Sequence, residues 1–259
     1  MPPLSSLIIL TGASRGLGLA MARQCLTPGR GLLCVARQPN ETLTLEARAA
    51  GVGIEWWAQD LSAPLHVAQR LERWLHERAW KGLSEVTLIN NAALIPPIGP
   101  IDTCPPEALA QTLRVGLEAP MLLTAAFLRA TGAWIEAGWR GPRKVLNLSS
   151  GLGRRAMAAQ APYCAAKAGL DHFTRCTALD EARRPHGARL LAQAPGVIAT
   201  DMQEQLRAGD PGLFPDRPRF QALFDQGLLD TPEQAAAKVL AWLNRPDFGN
   251  PVVADVRDA

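Results

Sequence analysis

Seven short, almost wholly apolar runs recur along the chain, separated by longer segments of helical periodicity, and this alternation constrains the fold more than any other feature. The runs are Leu7–Leu10, Leu32–Ala36, Ile54–Ala58, Val86–Ile89, Val145–Leu148, Leu190–Ala194 and Val252–Asp255. Strands that are apolar throughout, not alternating, are those of a parallel sheet covered by helices on both faces. The helical segments between them are Gly18–Thr27, Glu41–Ala50, Pro64–Arg78, Pro106–Ala130, Pro162–Arg183 and Pro232–Leu243. Proline stands at or near the first turn of four of them, a favoured N-terminal position. Such alternation predicts a single α/β domain: a doubly wound parallel sheet of about seven strands, the Rossmann type, with helices on both sides. A length of 259 residues suits one large core. The rhythm breaks only at Pro195–Thr231. Five of the ten residues in Gly209–Pro218 are Gly or Pro, which predicts an irregular lid over a binding site at about 196–231.

Charge and cysteine usage narrow the function. Twenty-seven Lys+Arg against 24 Asp+Glu leave a formal charge of +3, and no basic run exceeds two residues. That is a mixed solvated surface, with no nucleic-acid partner expected. Cys25, Cys34, Cys104, Cys164 and Cys176 form neither a CxxC nor a zinc spacing, so no metal site is expected and they read as small buried hydrophobes of a reducing compartment. The start, Met1-Pro2-Pro3-Leu4-Ser5-Ser6, has no basic n-region, and Leu7–Leu10 is too short for a signal core. No stretch approaches the ~20 apolar residues of a membrane span. A cytoplasmic protein without membrane attachment is expected.

Directly after the first strand comes Thr11-Gly12-Ala13-Ser14-Arg15-Gly16-Leu17-Gly18, then the first helix. Glycines let the backbone approach a pyrophosphate closely, and a helix N-terminus offers free N–H groups and a positive dipole end. The GxxxGxG spacing in a strand–turn–helix context makes Gly12, Ser14, Arg15, Gly16, Leu17 and Gly18 dinucleotide-binding candidates. An NAD site calls for a carboxylate near the end of the second strand. Here that end reads Cys34-Val35-Ala36-Arg37, with no acid before Glu41. Arg37 and Arg15 together favour a 2′-phosphate, hence NADP(H).

The chain contains one tyrosine, Tyr163, and it opens the pattern Tyr163-Cys164-Ala165-Ala166-Lys167 at the start of a long helix. A spacing of four puts both side chains on one helix face. A phenol titrating near ~10 is a poor proton carrier at neutral pH unless a cation lowers it, and Lys167 is positioned to do so. Ser150, at the carboxyl end of the fifth strand, is where doubly wound sheets bind ligands.

With Asp60-Leu61, Asn90-Asn91-Ala92-Ala93 and Pro195-Gly196 with Thr200, these motifs resemble those of the short-chain dehydrogenase/reductase family over essentially the whole chain. The resemblance implies Tyr163 as catalytic acid/base, Ser150 polarising a substrate carbonyl, and Lys167 holding the nicotinamide ribose. It further implies Asp60 and Leu61 near the adenine, and Asn90, Ala92, Pro195, Gly196 and Thr200 along the cofactor. One departure is Gly116, where the family commonly places an asparagine that helps hold a relay water. Within the family the tail Phe248–Asp255 and the segment Pro195–Gln203 are most similar to sepiapterin reductases and bacterial benzil-reductase-like members. That likeness implies Asp255 as a substrate anchor, with Asp258 its competitor and a solvated terminal aspartate the alternative. Expected pocket walls are Leu94, Ile95, Leu152, Met157, Met202, Phe214 and Phe224. The expected activity is reduction of a small dicarbonyl or pterin-like ketone. A 3-oxoacyl-thioester or broad alcohol reductase, and an NADPH-binding regulator without significant catalysis, remain alternatives. The helices Pro106–Ala130 and Pro162–Arg183 resemble those that pair subunits in this family, implying a homodimer or homotetramer.

Overall fold

A computed structural model describes residues 4–78 and 80–258. Met1, Pro2 and Pro3 of the N-terminal reading lie outside the described residues. Seven parallel strands form one sheet in the order β3-β2-β1-β4-β5-β6-β7. They are β1 (Ser6–Thr11), β2 (Arg30–Ala36), β3 (Gly53–Ala58), β4 (Glu85–Asn90), β5 (Arg143–Leu148), β6 (Arg189–Ala194) and β7 (Val253–Asp255). The strand sequence reverses direction between β1 and β4, which opens a crevice at their carboxyl ends. Register brings those ends level: Thr11 lies beside Val35, Asn90 beside Asn147, Leu148 beside Gln193 and Ala194 beside Asp255.

The helices are α1 (Gly16–Gln24), α2 (Glu41–Ala49), α3 (Pro64–His76), α4 (Pro106–Leu113), α5 (Ala119–Glu136), α6 (Ala161–Ala182), α7 (Asp201–Ala208), α8 (Arg217–Asp225) and α9 (Pro232–Leu243). Successive residues of β1 enter opposite cores. Leu7 and Ile9 pack with α3 and α5, whereas Ile8 and Leu10 pack with α1, α2 and α9. Both faces being buried, the strand has no polar position to alternate with. No helix among the described residues is long and apolar enough to cross a membrane.

Three expectations need correction. Of the five cysteines only Cys25 and Cys34 are buried; Cys104 and Cys164 are half-buried and Cys176 on α6 is exposed. The segment Pro106–Ala130 is not one helix but α4 and α5, joined by a π-helical turn at Arg114–Glu118. Pro120 has no N–H to offer the Gly116 carbonyl four residues back, so the ladder must rearrange there. The segment 196–231, expected as an irregular lid, carries α7 and α8, with irregular chain left at 196–200, 209–216 and 226–231. Its prolines and glycines mark ends: Gly209 follows α7 as its C-cap and Pro218 sits in the first turn of α8. Leu206 of α7 and Phe220 of α8 pack on Phe214 and Met157, giving the lid a small core of its own. Its two ends meet where Ile198 bridges Asp230.

A buried ion pair fixes β5 against the end of α6. The Arg143 guanidinium donates to Glu181 at 3.0 Å, the two side chains being 3% and 1% exposed. Glu181 also accepts from the Ala188 N–H at 2.8 Å and from Arg184 at 2.9 Å. Glu181→Ala leaves the buried guanidinium without its carboxylate. We expect it to destabilise the fold by about 3–5 kcal/mol in denaturant unfolding, and a loss below ~1 kcal/mol would remove the pair from the account of stability.

Candidate active site

The turn between β1 and α1 is built by close backbone approach. Gly12 has φ +69°, and a Cβ there would lie 2.9 Å from Asn91 Nδ2 and 3.0 Å from Ala92 Cα. A Cβ on Gly18 would run into the Gly12 carbonyl oxygen. Asn91 holds the turn shut, its Nδ2 donating to the carbonyls of Thr11 at 3.0 Å and Gly12 at 3.2 Å. The N–H groups of Asn91 and Ala92 both donate to Thr11 Oγ1 at 3.0 Å. Gly16, at φ +53°, faces open space, with only Thr200 Cγ2 near, 3.6 Å from where its Cβ would be. The first turn of α1 holds no acidic residue, and the Arg15 side chain does not cap it. Free N–H groups therefore point into the adjoining groove, an arrangement suited to a phosphate.

That groove, a cavity of about 420 Å³, is lined by Gly12, Ser14, Arg15, Gly16, Leu17, Gly18 and Arg37 at one end, and by Tyr163, Lys167 and Thr200 at the other. Asp60, Leu61, Ala92 and Pro195 line it between, along with Leu94, expected as a substrate wall. The residues present fit a nicotinamide dinucleotide: glycine cradle, unblocked helix N-terminus, and basic groups where a ribose phosphate would lie. Arg15 donates to Asp201 at 2.5 Å in a pair 70% and 62% exposed, a surface contact weak enough to exchange for another anion.

Asn90 does not border the groove as expected. It is buried beneath, donating to Asn147 Oδ1 at 2.8 Å and Thr124 Oγ1 at 3.2 Å, while its neighbours Asn91 and Ala92 form the wall. The asparagine that clamps the glycine turn is thus one residue further on, past the end of β4. Gly116 lies in the π turn, where a Cβ would come within 3.2 Å of Ala166 Cβ on α6. Close packing accounts for its lack of a side chain.

Tyr163 stands at the boundary between this groove and a second cavity of about 490 Å³. Ser150 lines only the second cavity, Lys167 only the groove, and Tyr163 both. Lys167 Nζ lies 5.6 Å from the Tyr163 ring centroid and donates to the Leu148 carbonyl at 2.7 Å. Burial pushes the phenol up to about 12, and the Ser150 hydroxyl pulls it back in part. The expected lowering of Tyr163 by Lys167 does not occur in this arrangement, because burial works on both groups. The same burial brings the Lys167 ammonium down to about 8 against the pull of Asp171.

Asp171, one helical turn beyond Lys167, is a polar residue that sequence reasoning passed over. It accepts a short hydrogen bond from the Ser149 hydroxyl and has one buried oxygen without a hydrogen-bond partner. Arg154 approaches that oxygen at 3.9 Å and Asp255 at 4.0 Å. The four-residue spacing of Lys167 and Asp171 was the available signal.

The second cavity has apolar walls from Ile95, Leu152, Met157, Met202 and Phe220, and Gly196 also lines it. Three expected walls are elsewhere, the first being Leu94, in the groove. Phe214 is fully buried behind Phe220, with ring centroids 5.7 Å apart. Phe224 is 50% exposed, with the Arg207 guanidinium 3.8 Å from its ring centroid. Asp255 does line the cavity but is not a solvated terminal group, being 6% exposed on β7. Its carboxylate accepts a two-pronged contact from Arg257, at 2.7 and 2.5 Å, and Asp258 accepts from its N–H at 2.8 Å. Burial works to raise this carboxyl, but the Arg257 hydrogen bonds prevail and hold it below the usual range.

Comparison with known proteins agrees with this geometry. The short chain dehydrogenase family model matches residues 6–211. The benzil reductase ((S)-benzoin forming) of Bacillus cereus is 31% identical over 241 residues, covering 93% of this chain and 95% of that protein. The sepiapterin reductase of Meriones unguiculatus is 30% identical over 261 residues, covering 96% and 95%. The crystal structure of a metagenomic short-chain oxidoreductase in complex with NADP aligns with a TM-score of 0.68 at 26% identity, covering 97% of this chain and 96% of the other. A glycine turn clamped by an asparagine, a serine, tyrosine and lysine gathered at one sheet edge, and a family match over most of the chain place this protein in the short-chain dehydrogenase/reductase family of oxidoreductases.

Proposed function

We propose that this protein is an NADPH-dependent carbonyl reductase acting on a small dicarbonyl or pterin-like ketone, with Tyr163 as proton donor. The observation that carries the reading is the position of the phenol between two cavities, Ser150 on one side and Lys167 on the other. The bound nicotinamide supplies a hydride. Ser150 donates a hydrogen bond to the substrate carbonyl oxygen, and the Tyr163 hydroxyl delivers the proton to that oxygen as it gains charge. A phenol raised by burial stays protonated at neutral pH, the form a reduction requires. Lys167, on the groove side, holds the ribose and stabilises the phenolate left behind.

NADPH over NADH is supported by Arg37 at the end of β2, by the releasable Arg15, and by the absence of an acid in that stretch. The related oxidoreductase bound to NADP points the same way. Between the carbonyl classes, the apolar walls and the likeness to benzil reductase favour a dicarbonyl. A pterin edge needs the Asp255 carboxylate that Arg257 already engages. The complete Ser150–Tyr163–Lys167 set argues against a regulator without catalysis. We propose further that the protein is cytoplasmic and pairs as a homodimer or homotetramer through α5 and α6, where Met121 and Leu179 are exposed.

Three outcomes follow. Tyr163→Phe lowers kcat for benzil reduction by about 10²–10⁴-fold, and equal turnover in both forms would sink the assignment. Arg37→Ala lowers kcat/KM for NADPH by roughly tenfold or more and barely changes that for NADH, consistent with losing one charge-assisted hydrogen bond. A wild type preferring NADH would overturn the cofactor reading. The pH profile of reduction holds up to about 8 and declines above it as Lys167 loses its proton, while Tyr163 remains protonated to about 12. Because Tyr163 is the only tyrosine, phenolate absorbance of the native protein reports that site alone, and a rate that climbs with pH beyond Lys167 titration contradicts the scheme.

A further inference from the structure

The cavity that holds Ser150 and Tyr163 is apolar in its walls but strongly basic among its ionised groups. Four arginines line it, Arg154, Arg155, Arg219 and Arg257, against two aspartates, Asp255 and Asp258. The aspartates are spent. Arg257 grips the Asp255 carboxylate with both prongs, Arg154 stands 4.0 Å from its Oδ2, and Asp258 accepts the Asp255 N–H. Arg155 and Arg219 are exposed and have no carboxylate within 4.0 Å among the described residues. They come from different elements. Arg155 follows the short turn after Ser150, its N–H bonded to the Gly151 carbonyl, and Arg219 stands in the first turn of the lid helix α8. Two guanidiniums with unused donors, in a cleft whose low-dielectric walls concentrate their field, form a receptor for an anionic oxygen group.

Resting on the carbonyl-reductase reading, we infer that the preferred substrate carries a carboxylate in addition to its reducible carbonyl, and that Arg155 and Arg219 hold that carboxylate while Ser150 and Tyr163 hold the carbonyl. The two binding functions divide the cavity. Leu152, Met157 and Phe220 cover the organic body of the substrate, and the guanidiniums take its charged end. A cationic or guanidine-like edge is disfavoured, because the carboxylate that would receive it is already paired.

The test compares benzil with its analogue bearing one para-carboxylate, 4-carboxybenzil, on the wild type and on the double variant Arg155→Gln/Arg219→Gln. We expect kcat/KM to favour the acid by about tenfold in the wild type, mostly through KM, and the preference to shrink towards unity in the double variant and at high salt. Equilibrium binding of the two ketones to the NADP⁺-loaded protein, read by calorimetry, should show the same ratio. If neither ketone is reduced but the acid still binds more tightly in an arginine-dependent way, the reductase reading fails and the anion site stands. A wild type that binds both equally, or a preference that survives the double substitution, overturns the inference.

Discussion

The carbonyl oxygens of Thr11 and Gly12, drawn onto the Asn91 side-chain amide, hold together everything else at the working edge of the sheet. β1 and β4 are neighbours, but the chain leaves them toward opposite faces, and without a lock the crevice between them would have no fixed width. The lock works only because Gly12 and Gly18 carry no side chains where Asn91, Ala92 and the Gly12 backbone meet. Once α1 is seated so closely, its N-terminal N–H groups point along the groove, and no acidic residue in its first turn competes for them. The strand ends that carry Ser150 and lead into α6 are referenced to the same edge through the register of β4 with β5. A single backbone approach thus sets both the glycine groove and the place of Ser150, Tyr163 and Lys167 beside it.

Burial then sets the chemistry at that place. It works in opposite directions on Tyr163 and Lys167, raising the phenol to about 12 and lowering the ammonium to about 8, shifts that leave the phenol protonated and the lysine still charged at neutral pH. Lys167 spends one donor on the Leu148 carbonyl at 2.7 Å, which fixes it at the strand end instead of against the phenol. Asp171 works against that lowering of Lys167, and its own carboxylate accepts from the Ser149 hydroxyl. Tyr163 and Lys167 are thus two buried groups, each tuned by its own surroundings, with the ammonium 5.6 Å from the phenol ring.

Much of this was legible in the chain. The strands could be read because helices cover both faces, leaving unbroken apolar runs, and the glycine turn because its spacing has a steric meaning. What escaped has specific causes. The π turn follows from Pro120 withdrawing one N–H inside a segment whose periodicity otherwise reads as continuous helix. The lid helices are short, and the Gly and Pro residues between and around them mask the apolar stripe of Leu206 and Phe220. Asn90 and Asn91 are adjacent and identical, and only the point where β4 ends decides that one faces inward and the other clamps the turn. Pairing of Asp255 with Arg257 depends on the chain turning into a 3-10 helix straight after a three-residue strand, a local turn that no pattern in the sequence marks.

That last pairing gives the two cavities different electrical characters even though they share a wall. Both are bordered by arginines, Arg15 and Arg37 on one side, Arg155 and Arg219 on the other. On the cofactor side the positive groups stand beside a helix N-terminus, whose dipole adds to their field. On the other side the sign depends chiefly on which carboxylates are free. Had β7 ended without Arg257, Asp255 would project an unpaired negative charge into the cavity, balancing much of the rim. With Arg257 in place, the aspartate instead orients a guanidinium and the field stays positive. The charge that this cavity presents therefore depends on the last turn of the described chain, which takes no part in the Asn91 clamp on the glycine turn.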